Sequence, residues 1–169
     1  MHKLFSRAAG AALLAGLAFG STAASAAQTT GTANARIMTA VSVIENNTLE
    51  FGTILADSDG GTVTVANNGT RTCTGLTCGT ASDVYRAGAF TVTGSKGATV
   101  SVTFSATSLE LKNGSGGTMN AVLSNSLSGS SLTLDNNGSG TFNVGGVLTV
   151  NGGQADGNYT GSYTVTVNY

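Results

Sequence analysis

The sequence predicts an all-β protein built as an antiparallel β-sandwich. Short segments in which apolar and polar residues alternate recur along the chain, and clusters of Gly and Asn separate them. Beyond the first residues, no segment shows the 3.6-residue periodicity of an amphipathic helix. A closed barrel is the alternative arrangement of the same strands.

Residues 1–26 predict a cleaved secretory signal peptide. A basic start is followed by the apolar run 8–19 and by small residues that lead to the cleavage motif Ala24-Ser25-Ala26. The run is short for a membrane anchor, and no later segment is apolar enough to span a bilayer. We therefore expect residues 27–169 to form a single exported domain, found first in the periplasm and then at the cell surface or outside the cell.

Charge and composition exclude several functions. The chain carries seven basic and eight acidic residues without clustering, so we expect no nucleic-acid partner. The one histidine, His2, falls in the predicted signal peptide, which leaves no histidine for a Ser-His-Asp site or a zinc site. Asp57-Ser58-Asp59 begins like a calcium loop but lacks the closing Glu, which favours a solvated hairpin loop. The expectation is a protein that is not an enzyme and binds no cofactor or metal.

Cys73 and Cys78 are the only cysteines of the chain. Because the predicted export places them in an oxidising compartment, we expect a structural disulfide. A redox pair or a pair of metal ligands is the alternative, but redox pairs usually have two intervening residues. In the same region, Asp83 and Arg86 are expected to form an exposed ion pair of small energetic value.

Two long alternating stretches stand near the ends of the mature chain. The stretch Gly31–Ile44 predicts one long strand with a bend near Met38, and 159–169 predicts a half-buried terminal strand. One face of the terminal strand holds Tyr159, Gly161, Tyr163, Val165, Val167 and Tyr169. Its tyrosines either pack in the core or form a ligand platform. The runs between these stretches place the following residues inward: Val63, Val65, Phe90, Val92, Val100, Val102, Phe104, Phe142, Val144, Leu148 and Val150.

Four of these stretches, in this order, resemble the bacterial secreted family known as domain of unknown function 4402. They are 49–54 (LEFGTI), 90–94 (FTVTG), 142–148 (FNVGGVL) and 157–169 (GNYTGSYTVTVNY). More distantly, the chain resembles chaperone–usher pilins and spore-coat-protein-U-like subunits. Pilins typically have a penultimate Tyr with a Gly twelve residues earlier; Gly157 and Tyr169 have that spacing, but Tyr169 is the last residue of this sequence. Pilin disulfides often involve the first strand, whereas Cys73 and Cys78 lie in mid-chain.

The pilin resemblance implies an immunoglobulin-like sandwich that is completed by a strand from a neighbouring subunit. Residues 27–38 would be the donor, with Gly31, Ala33, Ala35 and Ile37 facing the groove, and the terminal strand from Gly157 would border that groove. The expected partners are copies of the same chain or related subunits, together with a periplasmic chaperone. Two alternatives stay open: residues 31–37 pair within their own sandwich, or the protein is a monomeric binding module that uses the loops 57–61 and 70–85.

Overall fold

A computed structural model describes residues 25–55, 58–80 and 82–169 of the chain. Most of the predicted signal peptide and Asp57 of the calcium-like loop lie outside these residues. Residues 36–169 form one compact unit. Residues 25–35, the described part of a second unit, contain no strand and are exposed along their whole length.

Twelve β-strands and no helix occur in the described residues. They are β1 (Ser42–Asn47), β2 (Ile54–Leu55), β3 (Gly61–Val65), β4 (Arg71–Thr74), β5 (Thr77–Cys78), β6 (Gly88–Thr93), β7 (Thr99–Phe104), β8 (Ser108–Lys112), β9 (Thr118–Asn125), β10 (Ser131–Thr133), β11 (Ser139–Val150) and β12 (Val165–Asn168). Within this part of the chain, nothing resembles a helix long and apolar enough to cross a membrane.

The strands form antiparallel sheets of seven, three and two strands. The seven-stranded sheet has the order β1-β6-β11-β3-β4, and β9 joins β11 to β8. The three-stranded sheet has the order β10-β7-β12, and β2 pairs with β5. The predicted all-β, antiparallel, sandwich-like fold is confirmed.

β11 connects the two halves of the core. Its first half pairs with β6, and its second half pairs with β3 and β9. Phe142 and Val144 lie in a core cluster shared with the three-stranded sheet, whereas Leu148 and Val150 lie in a second cluster with β3, β8 and β9. Gly145 lies between these halves, where a Cβ would overlap the carbonyl oxygen of Val65.

The inward residues predicted from the strand pattern are confirmed. All of them are buried except Phe104, which is partly buried. The valines of β3, β6 and β7 are almost inaccessible to solvent. In these strands, the apolar residues of the alternating pattern all lie on the face that packs in the core.

Both long alternating stretches are shorter strands than expected. The first begins only at Ser42, and residues 31–41 pair with no strand. In the second, only Val165–Asn168 is a strand, although the main chain of Thr160 also pairs with Lys112. Alternation expresses a local preference, whereas a strand needs a neighbour for its main-chain groups. The Ala, Gly and Thr residues of 31–36 also bury too little apolar surface to attract one.

The predicted disulfide between Cys73 and Cys78 is confirmed. It joins β4 to β5 across a Cα–Cα distance of 6.2 Å, and β5 in turn pairs with β2. Through β5, the disulfide thus links β4, an outer strand of the seven-stranded sheet, to β2.

The core position of Leu148 gives a direct test of the fold. We expect Leu148→Ala to lower the free energy of unfolding by about 2–5 kcal/mol, because it removes a fully buried side chain in the second half of β11. The neighbouring Val147 points to the opposite, exposed face, so Val147→Ala should cost less than about 1 kcal/mol. Urea unfolding of both variants measures the difference, and equal losses would contradict the strand register.

The disulfide closes a short loop, so its contribution should be modest. We expect the double variant Cys73→Ala, Cys78→Ala to lose about 2 kcal/mol of stability, on the chain-entropy account of cross-links. Adding dithiothreitol should lower the unfolding midpoint of the wild-type protein and leave that of the double variant unchanged. A variant that still responds to the reductant would show that the loss has another cause.

Candidate functional site

An open groove runs between two segments of the chain that face each other across the sandwich. One wall is formed by residues 43–54 and the other by residues 154–165. Two adjoining cavities of about 530 Å³ and about 550 Å³ make up the groove. They share Leu49, Glu50, Phe51, Leu111, Tyr159 and Thr160, so they form one continuous slot, called the groove below.

The walls of the groove are strand edges. β1 is an edge strand that pairs only with β6, and beyond it the main chain of Glu50 pairs with Arg86. On the other wall, β12 pairs only with β7, and Thr160 pairs with Lys112 at the end of β8. Among the described residues, neither β1 nor β12 has a strand partner on its second side. The groove is therefore bordered on both sides by strands that have an unpaired edge.

The floor of the groove consists of core residues. Leu111, Met119, Leu148 and Val150 line one half, and Phe90 and Leu109 line the other. Except for Leu109, which is partly buried, all of these belong to the buried core clusters. Buried core residues therefore form the floor of the groove, beneath walls that also carry polar side chains such as Glu50 and Gln154.

A cluster of hydrogen bonds around Tyr169 holds the start of the first wall to β12. The Tyr169 hydroxyl donates to the carbonyl of Thr39 and accepts a hydrogen bond from the amide of Ser95 at 2.7 Å. The amide of Thr39 donates to the Ser95 hydroxyl, also at 2.7 Å. Both main-chain groups of Thr39 are therefore fixed just before β1.

Tyr159 organises the opposite end of the groove. Its hydroxyl donates to the carbonyl of Ala155 and accepts from the side-chain amide of Gln154, each at 2.8 Å. Gln154 also donates to the carbonyl of Thr118 at 3.1 Å. Gly157 lies in this loop with φ +144°, against the side chain of Asn113. These contacts shape the loop 151–158, which otherwise has no strand structure.

A buried ion pair beside the groove supports the first wall. Arg71 and Asp83 are 2.6 Å apart, and both side chains are largely shielded from solvent. Asp83 also accepts hydrogen bonds from the amide and hydroxyl of Thr53, and Arg71 donates to the carbonyls of Phe51 and Gly79. The ion pair thus fixes the wall at residues 51–53.

The expected pairing of Asp83 with Arg86 is wrong. Asp83 binds Arg71, and Arg86 lies 3.7 Å from Glu50 in an exposed pair. The Arg71 guanidinium also lies 4.1 Å from the centre of the Tyr85 ring. Arg71 also contacts two carbonyls and an aromatic ring, so its side chain is held in a fixed, largely buried position. It can therefore form a stronger charge-assisted hydrogen bond with Asp83 than an exposed arginine could.

Tyr163 occupies the middle of the second wall. Its ring packs against Phe90 and Phe104, with centroid distances of 6.2 Å and 6.4 Å. Its hydroxyl is buried and has no hydrogen-bond partner among the described residues. Burial raises the pKa of Tyr163 to about 12, and the negative charge of Glu45 acts in the same direction. Glu45 points into the groove from β1.

Four of the six terminal residues chosen from sequence are buried or partly buried, although only part of the segment is a strand. Tyr159, Tyr163 and Val165 are partly buried against the core, Val167 is buried, and Gly161 and Tyr169 are exposed. The three tyrosines make separate contacts and do not form one flat platform. The candidate donor residues Gly31, Ala33, Ala35 and Ile37 are exposed and lie in no strand of their own chain.

The family is shown by comparison with known proteins. Residues 41–169 match the family described as Domain of unknown function (DUF4402), and the chain belongs to it. No curated protein matches the chain. The matched region contains the compact unit from β1 onward and leaves the candidate donor segment outside it. The resemblance to pilins remains a prediction.

Sequence reasoning missed the contacts that shape the groove. Arg71 and Asp83 are twelve residues apart, with no pattern that marks them as partners. The role of Tyr163 could have been inferred only in part, since its parity predicts an inward ring but not an unpaired hydroxyl. No group of three or more His, Cys, Asp or Glu side chains in the described residues is placed to hold a metal ion.

The ion pair predicts a particular dependence of stability on pH. The hydrogen bond from Arg71 lowers the pKa of Asp83 below its ordinary value of 3.8, and the bonds from Thr53 act in the same direction, against the effect of burial. Because the folded protein binds this proton more weakly, the stabilisation is present above about pH 4 and is lost as the pH falls further. Asp83→Asn should therefore lower the melting temperature at pH 7.

The difference in melting temperature between wild type and Asp83→Asn should shrink progressively as the pH falls below about 4, and it is lost once the pH is below the lowered pKa of folded Asp83, where both folded and unfolded wild-type protein carry the proton. Glu110→Gln is the matched control, since Glu110 pairs with Lys112 at 3.4 Å in an exposed position. It should change the melting temperature little at any pH. An Asp83→Asn difference that persists unchanged into acid would contradict the assignment.

Proposed function

We propose that this protein is a non-catalytic, exported structural subunit that assembles into a fimbria-like or coat-like surface structure through β-strand complementation. The observation that carries the proposal is the groove, which has strand edges for walls and core residues for its floor. An extended segment in the groove would pair with main-chain groups of the walls and cover the apolar floor. Strand addition of this kind takes its affinity from main-chain hydrogen bonds and its register from alternate side chains.

The segment best suited to fill the groove is 27–38. It has the same length as each wall, twelve residues, and residues 27–37 are exposed. On one parity it carries Gly31, Ala33, Ala35 and Ile37, which are small or apolar. Since the floor is already packed with core residues, small side chains suit the limited depth of the groove.

A neighbouring molecule is a better source of this segment than the same chain. To fill its own groove, the chain would have to reverse direction immediately before β1. Residues 36–41 contain no turn, and both main-chain groups of Thr39 are engaged by Ser95 and Tyr169. We therefore favour exchange between subunits over self-complementation.

The proposal implies partners and a location. Subunits would be copies of this chain or related chains, and a periplasmic chaperone would cover the groove until assembly. The predicted signal peptide of residues 1–26 would direct the chain to the periplasm, from which the assembly reaches the cell surface. No cofactor is required, because the proposed function consists of main-chain pairing and apolar burial.

The proposal is tested by placing charges on the two opposite faces of the donor segment 27–38 in turn. The mature chain from Ala27 should form oligomers in size-exclusion chromatography with light scattering. Ala33→Asp with Ala35→Asp places two charges against the apolar floor, so this variant should be monomeric. Thr32→Asp with Asn34→Asp adds the same charge on the outward parity and should still form oligomers.

Three outcomes would count against strand exchange. The first is a wild-type protein that stays a monodisperse monomer with residues 28–38 protected from hydrogen exchange. The second is equal loss of assembly in both double variants, which would indicate a charge effect without strand geometry. The third is a wild-type monomer that binds glycans through the loops 57–61 and 70–85, which would favour the monomeric binding module.

A further inference from the structure

The groove has an acidic lining. The described residues that line it include the carboxylates Glu45, Glu50, Asp83 and Asp156 but no lysine or arginine. Arginine side chains already pair with Asp83 at 2.6 Å and with Glu50 at 3.7 Å. In the described part of the chain, neither Glu45 nor Asp156 lies within ion-pair distance of a basic side chain. The groove thus has two carboxylates that can take a cationic partner.

These two carboxylates lie at opposite ends of the groove. Glu45 is on β1 and lines the cavity of about 550 Å³, together with Val165. Asp156 is in the loop 151–158 and lines the cavity of about 530 Å³, together with Ile54. Asp156 is exposed, so it lies at the rim of the groove and not among the core residues of the floor. Each end of the groove therefore has its own unpaired negative charge.

The donor segment carries a single charged side chain. Arg36 is the only charged residue of 27–38, and it is exposed. It has the opposite parity to Ala33 and Ala35, so it points toward the rim when the two alanines face the floor. There the long side chain can bring its guanidinium to a carboxylate while both charges stay in contact with water. The donor and the rim of the groove are therefore complementary in charge.

The direction of assembly decides which carboxylate Arg36 meets. The donor segment of each molecule leads into β1, at the end of its own groove that holds Glu45. If a donor were inserted at this same end of a neighbour, the two molecules would fill each other's grooves and close into a dimer. An open chain of subunits requires insertion at the opposite end, where Asp156 lies. Arg36 is only three residues from Thr39, which its own molecule holds, so Arg36 would stay at that end.

We propose that Asp156 is the charge partner of the incoming strand, and that it binds Arg36 of a second copy of this protein at the rim of the groove. This inference rests on the proposed function and adds the direction of the donor strand and a contact that selects it. The wall 154–165 runs from the Asp156 end of the groove to the Glu45 end. A donor with Arg36 beside Asp156 runs the opposite way, so it would pair antiparallel to this wall.

The expected effect on binding is moderate and depends on salt. A rim ion pair selects direction and register more than it raises affinity. Reversal of one charge replaces an attraction by a repulsion, which should weaken strand binding about three- to tenfold at low salt. The loss should shrink as salt is added, because exposed charges are screened.

The test uses the mature chain with Ala33→Asp and Ala35→Asp as the parent protein, because these changes disable its own donor segment. The ligand is a peptide of residues 27–38 with acetylated and amidated ends and a neutral fluorescent dye, so that Arg36 is its only charge. Binding is followed by fluorescence anisotropy at low and high salt. The same titration is made with a peptide that carries Arg36→Glu.

A charge exchange identifies the pair. Asp156→Lys in the parent and Arg36→Glu in the peptide should each weaken binding about three- to tenfold. The two changes together should restore the affinity to within about twofold of the unchanged pair, because the attraction is rebuilt with reversed signs. Glu110→Lys is the matched control, since it reverses an exposed carboxylate that lines neither cavity. It should change the affinity less than about twofold and should not restore binding of the Arg36→Glu peptide.

Each result decides the inference. Unchanged affinity in Asp156→Lys, or no recovery in the combined pair, would overturn the role of Asp156 and leave strand complementation standing. Recovery of the Arg36→Glu peptide by Glu45→Lys in place of Asp156→Lys would put Arg36 at the other end and overturn the proposed direction. Failure of the parent to bind the unchanged peptide, together with a monomeric wild type, would overturn both this pairing and the proposed function.

Discussion

The pairing of β11 with three other strands is the constraint on which the rest of the structure depends. Its first half joins β6, and its second half joins β3 and β9. As a consequence, Phe142 and Leu148 on one continuous strand belong to different core clusters. The main-chain hydrogen bonds of β11 thus bind two apolar clusters into one unit. The groove runs past both clusters, which explains why its two cavities join.

The groove walls depend on polar contacts more than on strand pairing. The wall at residues 51–53 is fixed by Asp83 and Arg71, and the opposite wall is shaped by the hydrogen bonds of Tyr159. Such contacts can hold a main chain in place while its facing edge remains free. A second strand pair in the same place would have satisfied that edge and removed the groove. The unpaired edge is thus compatible with a well-ordered wall.

The sequence predicts the sandwich core well because alternation and burial have the same cause there. Val63 and Val65 are inward in the pattern and buried in the structure, since strands of a sandwich expose one face and bury the other. The same pattern at 31–41 is wrong as a strand, because alternation carries no information about whether a partner strand exists. At 159–169 it predicts the facing of Tyr163 and Val167 correctly but not the change of partner from β8 to β7.

The groove itself lies beyond sequence reasoning for a related reason. It arises from the relative position of segments more than a hundred residues apart, and no local spacing encodes that distance. Arg71 and Asp83 meet through the disulfide-linked region between β4 and β6, again without a local pattern. The pairing of Cys73 with Cys78 was predictable because a chain with two cysteines has one possible intramolecular disulfide. Features that depend on neighbouring residues can therefore be predicted from the sequence, whereas contacts between segments far apart in the sequence cannot.

The attachment of Thr39 has a mechanical consequence. A pulling force that enters the protein through residues 36–38 would reach Thr39 before it reaches β1. The amide of Thr39 would pass part of that force to Ser95, in the connection between β6 and β7, and its carbonyl would pass part to Tyr169, directly after β12. Load is thereby divided between the two main sheets at a single residue. In a fibre under tension, such a division would protect β1 from being peeled away from β6 alone.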